Sequence, residues 1–201
     1  QNNIRVIPPL LRKEVTLHEP YSGDYIHGYM VNAGFSENVM KWHRQHPRIP
    51  LRFFWDKWEE EPVKRVDNTL SFYQLDDVEF LRQMAGCKAY ASTAGFESVC
   101  EAMYHLKPFS FKHTGLFPEQ AANWDWFSKK IYDAKKSGAG IISSDFNLQQ
   151  LLEFAKDYHP NRDFVYWVRG AEYTLLNLLE SDSSNYQQVL FNEMYLVEEF
   201  I

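Results

Sequence analysis

The chain has 201 residues and a net charge of −6, and 45% of its residues are hydrophobic and 16% aromatic. This composition excludes disorder or a collagen-like architecture for the chain as a whole, and it suffices for the core of an ordinary domain. The negative charge argues against a nucleic-acid partner, because clustered Lys and Arg bind phosphate backbones. A single nucleotide stays compatible with it, since helix N-termini and backbone amides also bind phosphate.

Short apolar segments alternate with longer helical patterns from Asp24 onward. The predicted strands span residues 25–32, 51–55, 69–75, 88–92, 108–112 and 138–143. The predicted helices span residues 36–46, 76–87, 95–106, 118–136, about 147–158 and 163–200, the last broken near 181–185. This alternation predicts an α/β fold with a Rossmann-like, parallel, six-stranded sheet and helices on both faces.

The start of the chain, "QNNIRVIPPLLRKEV", has a polar lead, a proline pair and a basic patch, which are typical of an interdomain linker. We therefore assign residues 1–23 to a linker and residues 24–160 to the Rossmann-like domain. Residues 161–201 are predicted to form C-terminal helices that pack on this domain or on a missing N-terminal domain. The chain is thus expected to be a fragment of a larger protein.

The two cysteines, Cys87 and Cys100, are too few for a disulfide framework and lie in apolar contexts, which favours buried thiols in a reducing compartment. The sequence shows no metal-binding spacing, and no apolar run approaches the ~20 residues of a membrane span. We expect a cytoplasmic domain without a metal or a cofactor. Peripheral association of the full-length protein with the inner membrane face is left open.

Ligands of a parallel sheet bind beyond the carboxyl ends of its strands, so the loops at those ends are the candidate sites. In "NAGFSE", Asn32 and Gly34 could let backbone amides approach an anion, or the glycine could only shape the turn. In "QLDD", Gln74 and the backbone of Leu75 and Asp76 could meet the edge of a base. The alternative is that Asp76 only caps the following helix.

The stretch "ASTAGFESVCEAM" is the strongest candidate, because small residues there turn from a strand into a helix. Gly95 leaves room for a pyrophosphate, and amides at the helix start favour an anion. Glu101, six residues further on, is set back from the phosphates and suits the paired hydroxyls of a ribose. The alternatives are a simple hinge at Gly95 and an acid favoured by the helix dipole. The candidate diphosphate-binding residues are Ser92, Thr93, Ala94, Gly95, Phe96, Glu97 and Ser98.

The last candidate loop, "KHTGLFPEQAAN", places Glu119 and Gln120 at the start of a helix. A carboxylate and an amide there could bind the hydroxyls of a sugar. The alternative is a glutamate that only stabilises the helix N-terminus.

Taken in order, these loops resemble the donor-binding half of the GT-B glycosyltransferases. "FYQLDDVEFLRQMAGCKAYASTAGFESVCEAM" is similar to the donor-binding region of the bacterial N-acetylglucosaminyltransferase family that makes lipid II, and "PEQAAN" is similar to the end of the signature of UDP-glycosyltransferases. The resemblance implies that Leu75 and Asp76 meet uracil, that Glu101 holds the ribose, and that Glu119 and Gln120 hold the transferred sugar. It covers about residues 5–160.

The resemblance implies the C-terminal domain of an inverting glycosyltransferase that binds a UDP-sugar. The catalytic base of such enzymes usually lies on the N-terminal acceptor domain, so no catalytic residue is assigned here, and the isolated chain should bind donor without turning it over. Three departures are Thr93 in place of a phosphate-binding histidine, a longer and more basic segment 112–117, and no arginine at the diphosphate turn, which leaves the helix dipole or Lys112 to offset its charge.

Two other functions remain open from the sequence. The first is a nucleotide-sugar 2-epimerase of the same fold, which would form an epimer without an acceptor. The second is a non-catalytic nucleotide-binding or scaffold domain, motivated by the segment 112–117 and by three tryptophans that could lie on the surface or could pack in a core or a domain interface. These are Trp124, Trp126 and Trp167.

Overall fold

The computed structural model describes seven segments of the chain. They are residues 7–30, 32–57, 61–93, 97–112, 140–143, 147–160 and 162–180, with the backbone alone described for 111–112 and 140–143. Two compact units are present, residues 11–164 and residues 1–10 with 165–201. The linker was predicted over residues 1–23, whereas the larger unit takes in the chain from residue 11.

The larger unit is built on one sheet, in which six strands are parallel as predicted. A seventh, antiparallel strand pairs with one edge. In chain order the strands are β1 (Ile26–Met30), β2 (Leu51–Trp55), β3 (Val63–Arg65), β4 (Leu70–Gln74), β5 (Ala89–Thr93), β6 (Phe109–Lys112) and β7 (Gly140–Ser143). Their spatial order is β3-β4-β2-β1-β5-β6-β7.

Strand β3 was not predicted, because its three residues lie in the charged segment "DKWEEEPVKRVDN", which is typical of a solvated loop. Its side chains are half-buried or exposed, and it pairs antiparallel with β4. A short, charged strand of this kind is typical of a sheet edge. The Rossmann-like class is confirmed, with this one strand added.

The described helices are α1 (Ser36–Gln45), α2 (Asp77–Gly86), α3 (Glu97–Tyr104), α4 (Leu148–Lys156) and α5 (Asp163–Arg169). Each lies within a predicted helix. A turn at Gly170 separates α5 from further helical backbone over 171–180, so the predicted helix from residue 163 is interrupted earlier than expected. The predicted helix 118–136 and the predicted break near 181–185 lie outside the described residues.

Alternating side chains of the strands feed two hydrophobic clusters, as expected for a sheet that is covered on both faces. Phe54 packs with Phe80, Leu81 and Met84 of α2 and with Val99 of α3. The neighbouring Phe53 belongs instead to the cluster that contains Val39 of α1 and Leu148 of α4. Helices therefore cover both faces. Both cysteines are buried and free, as predicted.

The segment 11–23 packs against the first of these clusters. It contains a 3-10 helix, Lys13–Leu17, whose Val15 is fully buried in that cluster. The backbone N–H groups of Tyr21 and Gly23 donate to the carbonyls of Ala85 and Gly86 at the end of α2. These contacts fix the segment on the domain and place Arg12, which precedes the 3-10 helix, near the carboxyl ends of the strands.

The strand order locates the point where ligands bind in sheets of this type. From β1 the chain proceeds to β2 and β4 on one side, and it then crosses to β5, β6 and β7 on the other. The order therefore reverses between β1 and β5, and the crevice beyond their carboxyl ends is the expected binding site.

In the smaller unit, the described helical residues expose several large apolar side chains. Trp167, one of the three tryptophans considered above, is 43% exposed. Trp124 and Trp126 lie outside the described residues. No described helix is both long enough and apolar enough to cross a bilayer.

Candidate functional site

A cavity of about 340 Å³ lies at the carboxyl edge of the sheet. Its walls come from the segment before the 3-10 helix, from β1, from the turn into α2 and the first turn of that helix, and from the first two turns of α3. The lining residues are Arg12, Tyr29, Leu75, Asp77, Phe80, Glu97, Ser98 and Glu101. The volume lies within the range of small-ligand pockets.

Glu101 is the central polar group of this cavity, and it is fully buried. Arg12 donates from Nε, at 2.8 Å, and contacts the same oxygen, Oε1, through Nη2 at 2.7 Å. The other oxygen, Oε2, is buried and meets no donor among the described residues. A buried carboxylate oxygen without a donor is costly, and such an atom at the wall of a cavity points to a ligand.

Negative charge dominates the cavity wall. Arg12 also donates from Nη1 to Asp77 at 2.7 Å, and its Nε lies 3.9 Å from Glu97. Burial raises the pKa of Glu101 to about 7, although the hydrogen bond and charge of Arg12 lower it and the charges of Glu97 and Asp77 raise it further. One cation therefore faces three acids at this wall.

Four of the predicted site residues line the cavity together: Leu75, Glu97, Ser98 and Glu101. Leu75 follows β4 and is 49% exposed, so it is accessible from solvent. Ser98 lies in the first turn of α3 and is half-buried. Glu101 was predicted to bind a ribose, and its Oε1 already contacts Arg12, so only Oε2 is left for such a ligand.

The turn after β1 uses its own polar groups. Asn32 caps a 3-10 helix, Ala33–Phe35, and its Oδ1 accepts from the Gly34 N–H at 2.8 Å. That amide is therefore already engaged locally, which favours the interpretation that the glycine shapes the turn. Neither residue lines the cavity.

The turn after β4 bears on the two interpretations of Asp76, as a contact to a base and as a cap of the following helix. Asp76 is the N-cap of α2, and its side chain accepts from the Glu79 N–H at 2.8 Å. The capping role of its side chain is thus present, which leaves only its backbone for a base. Gln74 lies on the other side of this turn and donates from Nε2 to the Glu61 carbonyl at 3.5 Å.

The two hydroxyl side chains at the end of β5 are both buried. The Ser92 hydroxyl donates to the Thr93 carbonyl at 2.8 Å and is fully buried. Thr93 is 5% exposed, and its hydroxyl has no hydrogen-bond partner among the described residues. Ser92 is therefore engaged locally, whereas Thr93 keeps an unused hydroxyl at the edge of the sheet.

Five predicted site residues lie outside the described residues. They are Ala94, Gly95, Phe96, Glu119 and Gln120. The side chain of Lys112, considered above as a source of positive charge, is also not among those described.

Arg12, Tyr29, Asp77 and Phe80 line the cavity but were not among the predicted site residues. Asp77 belongs to the double aspartate at the start of α2, where only the first aspartate was predicted to meet a ligand. Arg12 stands in "PPLLRKEV", and a lone arginine there carries no local signal for a partner 89 residues away. Within the described part of the chain, no three His, Cys, Asp or Glu side chains are grouped so as to hold a metal ion.

Comparison with known proteins identifies relatives of this domain. The family model described as "Glycosyl transferase family 1" matches residues 1–158. Among solved structures, the glycosyltransferase SnogD from Streptomyces nogalater is similar over 89% of this chain, with a TM-score of 0.48 and 12% identity. The chain spans about half, 48%, of the length of the SnogD chain. No curated protein matches the chain.

Proposed function

Since the chain belongs to glycosyl transferase family 1, we propose that residues 11–164 bind the donor of a glycosyltransferase, and that this donor is a UDP-sugar. The observation that carries the proposal is the buried Oε2 of Glu101, an acceptor without a donor among the described residues, at the wall of a cavity. A carboxylate oxygen has two lone-pair sites and can accept from two ribose hydroxyls.

The cavity suits the nucleoside part of such a donor. Tyr29, Leu75 and Phe80 supply apolar surface for a base or a sugar ring, and Glu101 supplies the acceptor. The phosphates are assigned away from the Asp77 carboxylate, which would repel their oxygens. We place them at the end of β5 and the start of α3, where Thr93 keeps an unused hydroxyl and the amides of the helix N-terminus favour an anion.

The proposed reaction is a direct displacement at the anomeric carbon. An acceptor oxygen forms the new bond to that carbon while the bond from the carbon to the β-phosphate oxygen breaks, and the configuration inverts. The diphosphate leaves with the bonding electron pair, and helix amides stabilise its growing charge. The base that takes the acceptor's proton is assigned to the acceptor domain, and the transferred sugar to Glu119 and Gln120 on the strength of the resemblance.

Calorimetric titration of nucleoside diphosphates into the chain tests this proposal. UDP is expected to bind, and Glu101→Gln is expected to weaken it, because the amide offers one acceptor oxygen without charge. Equal UDP affinity in the two proteins would remove the ribose role of Glu101. Absence of binding for UDP, CDP, ADP and GDP alike would favour the scaffold alternative instead.

A further inference from the structure

We propose that Arg12 is a positioning residue of the donor site, which holds the Glu101 carboxylate by one oxygen and presents the other to the ribose of the donor. This inference rests on the proposed function, and it adds a residue from the segment before the domain's first strand. Its basis is the difference in contacts between the two carboxylate oxygens of Glu101. Both guanidinium contacts go to Oε1, and Oε2 remains without a donor among the described residues.

The geometry of the pair differs from the usual arginine–carboxylate pair. In the common bidentate form, two parallel N–H groups engage both carboxylate oxygens and leave little for a ligand. Here Nε and Nη2 converge on one oxygen, while Nη1 reaches Asp77 at 2.7 Å. The guanidinium is thereby fixed at both ends, and it fixes the rotamer of Glu101 in turn.

A rigid element carries Arg12 to this position. Its carbonyl accepts from the Val15 N–H at 3.1 Å at the start of the 3-10 helix, and Val15 is fully buried in the core. The Arg12 side chain is 28% exposed, so much of it is already withdrawn from water before a ligand arrives. A side chain ordered in advance loses less entropy on binding than a free one.

The charges around Glu101 explain why a cation is needed. Asp77 faces it from α2, Glu97 from its own helix and Tyr90 from β5, and Cys100 is its neighbour in the chain. Burial raises the pKa of Glu101 to about 7, and Asp77 and Glu97 raise it as well, while Arg12 lowers it. With Arg12 in place, the carboxyl is about half ionised at pH 7. Without Arg12 its pKa would rise further, so that the carboxyl would be mostly protonated at neutral pH and would lose the charge that strengthens its hydrogen bonds to hydroxyls.

The affinity for UDP as a function of pH tests the role of Arg12 directly. In the wild type, binding should weaken as the pH falls through the Glu101 pKa. In Arg12→Met the midpoint of this profile should move to higher pH, so that UDP binds roughly fivefold more weakly at pH 7 and recovers its affinity as the pH is raised. Arg12→Lys, which keeps the charge, should restore part of the affinity.

Arg82→Met is the matched control, because Arg82 forms an exposed pair with Glu79 on α2. The pH profile of Arg82→Met should superimpose on that of the wild type. Protonation of the UDP phosphates affects all variants equally and cancels in the comparison. Asp77→Asn provides a second test if Arg12→Met fails to fold. Removing this negative charge should move the midpoint to lower pH.

An Arg12→Met profile that matches the wild type, or an Asp77→Asn midpoint that stays or rises, overturns the proposal. Loss of binding in Glu101→Gln together with an unchanged Arg12→Met profile overturns the role of Arg12 alone. A wild type that binds no UDP overturns both this inference and the proposed function.

Discussion

At each end of the sheet, a carboxylate is paired with a basic side chain. The two pairs differ in whether a carboxylate oxygen remains without a hydrogen-bond donor among the described residues. At the amino end, both oxygens of Asp67 are engaged. Oδ1 accepts from the N–H groups of Thr69 and Leu70, each at 2.8 Å, and Oδ2 meets His43 Nε2 at 2.8 Å. At the carboxyl end, Glu101 has one oxygen engaged by Arg12 and one with no donor in the described part of the chain.

This difference separates a structural cluster from a binding site. The donors of Asp67 are largely backbone groups of its own turn, so the cluster closes the loop before β4 and needs no ligand. Glu101 is fully buried and incompletely satisfied, and it lines a cavity, which is a costly state unless something else completes it. Four measurements test whether the two carboxylates differ in this way.

The largest expected effect is on stability as a function of pH, with opposite signs at the two ends. The pKa of Glu101 is raised from 4.5 to about 7, so its contribution to the free energy of unfolding is fully present below pH 4.5 and is lost as the pH rises through 7. The loss is about 3 kcal/mol. Hydrogen bonds, chiefly from the Thr69 N–H, lower the pKa of Asp67 from 3.8, so its contribution is present above pH 3.8 and is lost as the pH falls further.

Urea unfolding between pH 3 and 8 measures both contributions. Glu101→Gln should remove the decline between pH 4.5 and 7, and Asp67→Asn should flatten the profile below pH 4. A Glu101→Gln profile parallel to that of the wild type between pH 4.5 and 7 would contradict the burial of an ionisable group at the cavity.

The second effect is on affinity for UDP. Loss of a charge-assisted hydrogen bond costs about 1.5–3 kcal/mol, so Glu101→Gln should bind UDP roughly 10–100-fold more weakly. Asp67→Asn should bind it as the wild type does, since Asp67 lies at the opposite end of the sheet. Calorimetry on both variants decides, and an equal loss in both would show that the effect is general destabilisation.

The third expected effect is on stability, and it concerns Asp67 rather than Glu101. Asp67→Ala removes the acceptor of two backbone N–H groups and of His43, and should lower the free energy of unfolding by about 1–2 kcal/mol at pH 7. Denaturant unfolding measures it. A change within about 0.3 kcal/mol would contradict this expectation. It would mean that water replaces these hydrogen bonds at no cost, which the 45% exposure of the Asp67 side chain would permit.

The smallest effect is expected at the surface of α2. Arg82 and Glu79 form a pair at 2.6 Å, with an exposed arginine and a half-buried glutamate. Arg82→Met should change the free energy of unfolding by less than about 0.5 kcal/mol, because water and salt screen exposed pairs. A larger loss in the same unfolding experiment would place this pair among the structural contacts of the domain.

The sequence predicted those features that depend on local patterns. The six parallel strands were found because apolar runs were bounded by turn residues, and Asp76 was recognised as a cap because Asp at that position satisfies a helix N–H. Strand β3 was missed because an edge strand of three residues owes its conformation to pairing with β4 rather than to its own composition. The sequence also could not decide whether the Gly34 N–H meets an anion. The outcome depends on the Asn32 side chain, which accepts a hydrogen bond from this N–H in the structure.

The candidate site was predicted only in part, because some of its features follow from local position and others depend on contacts between distant parts of the chain. Leu75 follows β4, and Ser98 and Glu101 lie in the first two turns of α3, so their placement at the carboxyl edge could be inferred from topology. The pairing of Glu101 with Arg12 could not be inferred, because Arg12 lies 89 residues earlier in the chain. A contact at that separation leaves no periodic or local signal in a single sequence.

The most direct test of the central claim is a double-mutant cycle between Glu101 and the ribose. UDP and 2′-deoxy-UDP are titrated into the wild type and into Glu101→Gln. If Glu101 binds the 2′-hydroxyl, the deoxy ligand binds the wild type roughly tenfold more weakly than UDP does, and the two ligands bind the variant almost equally. The same ratio of affinities in both proteins would contradict the account, because the hydroxyl would then be bound elsewhere.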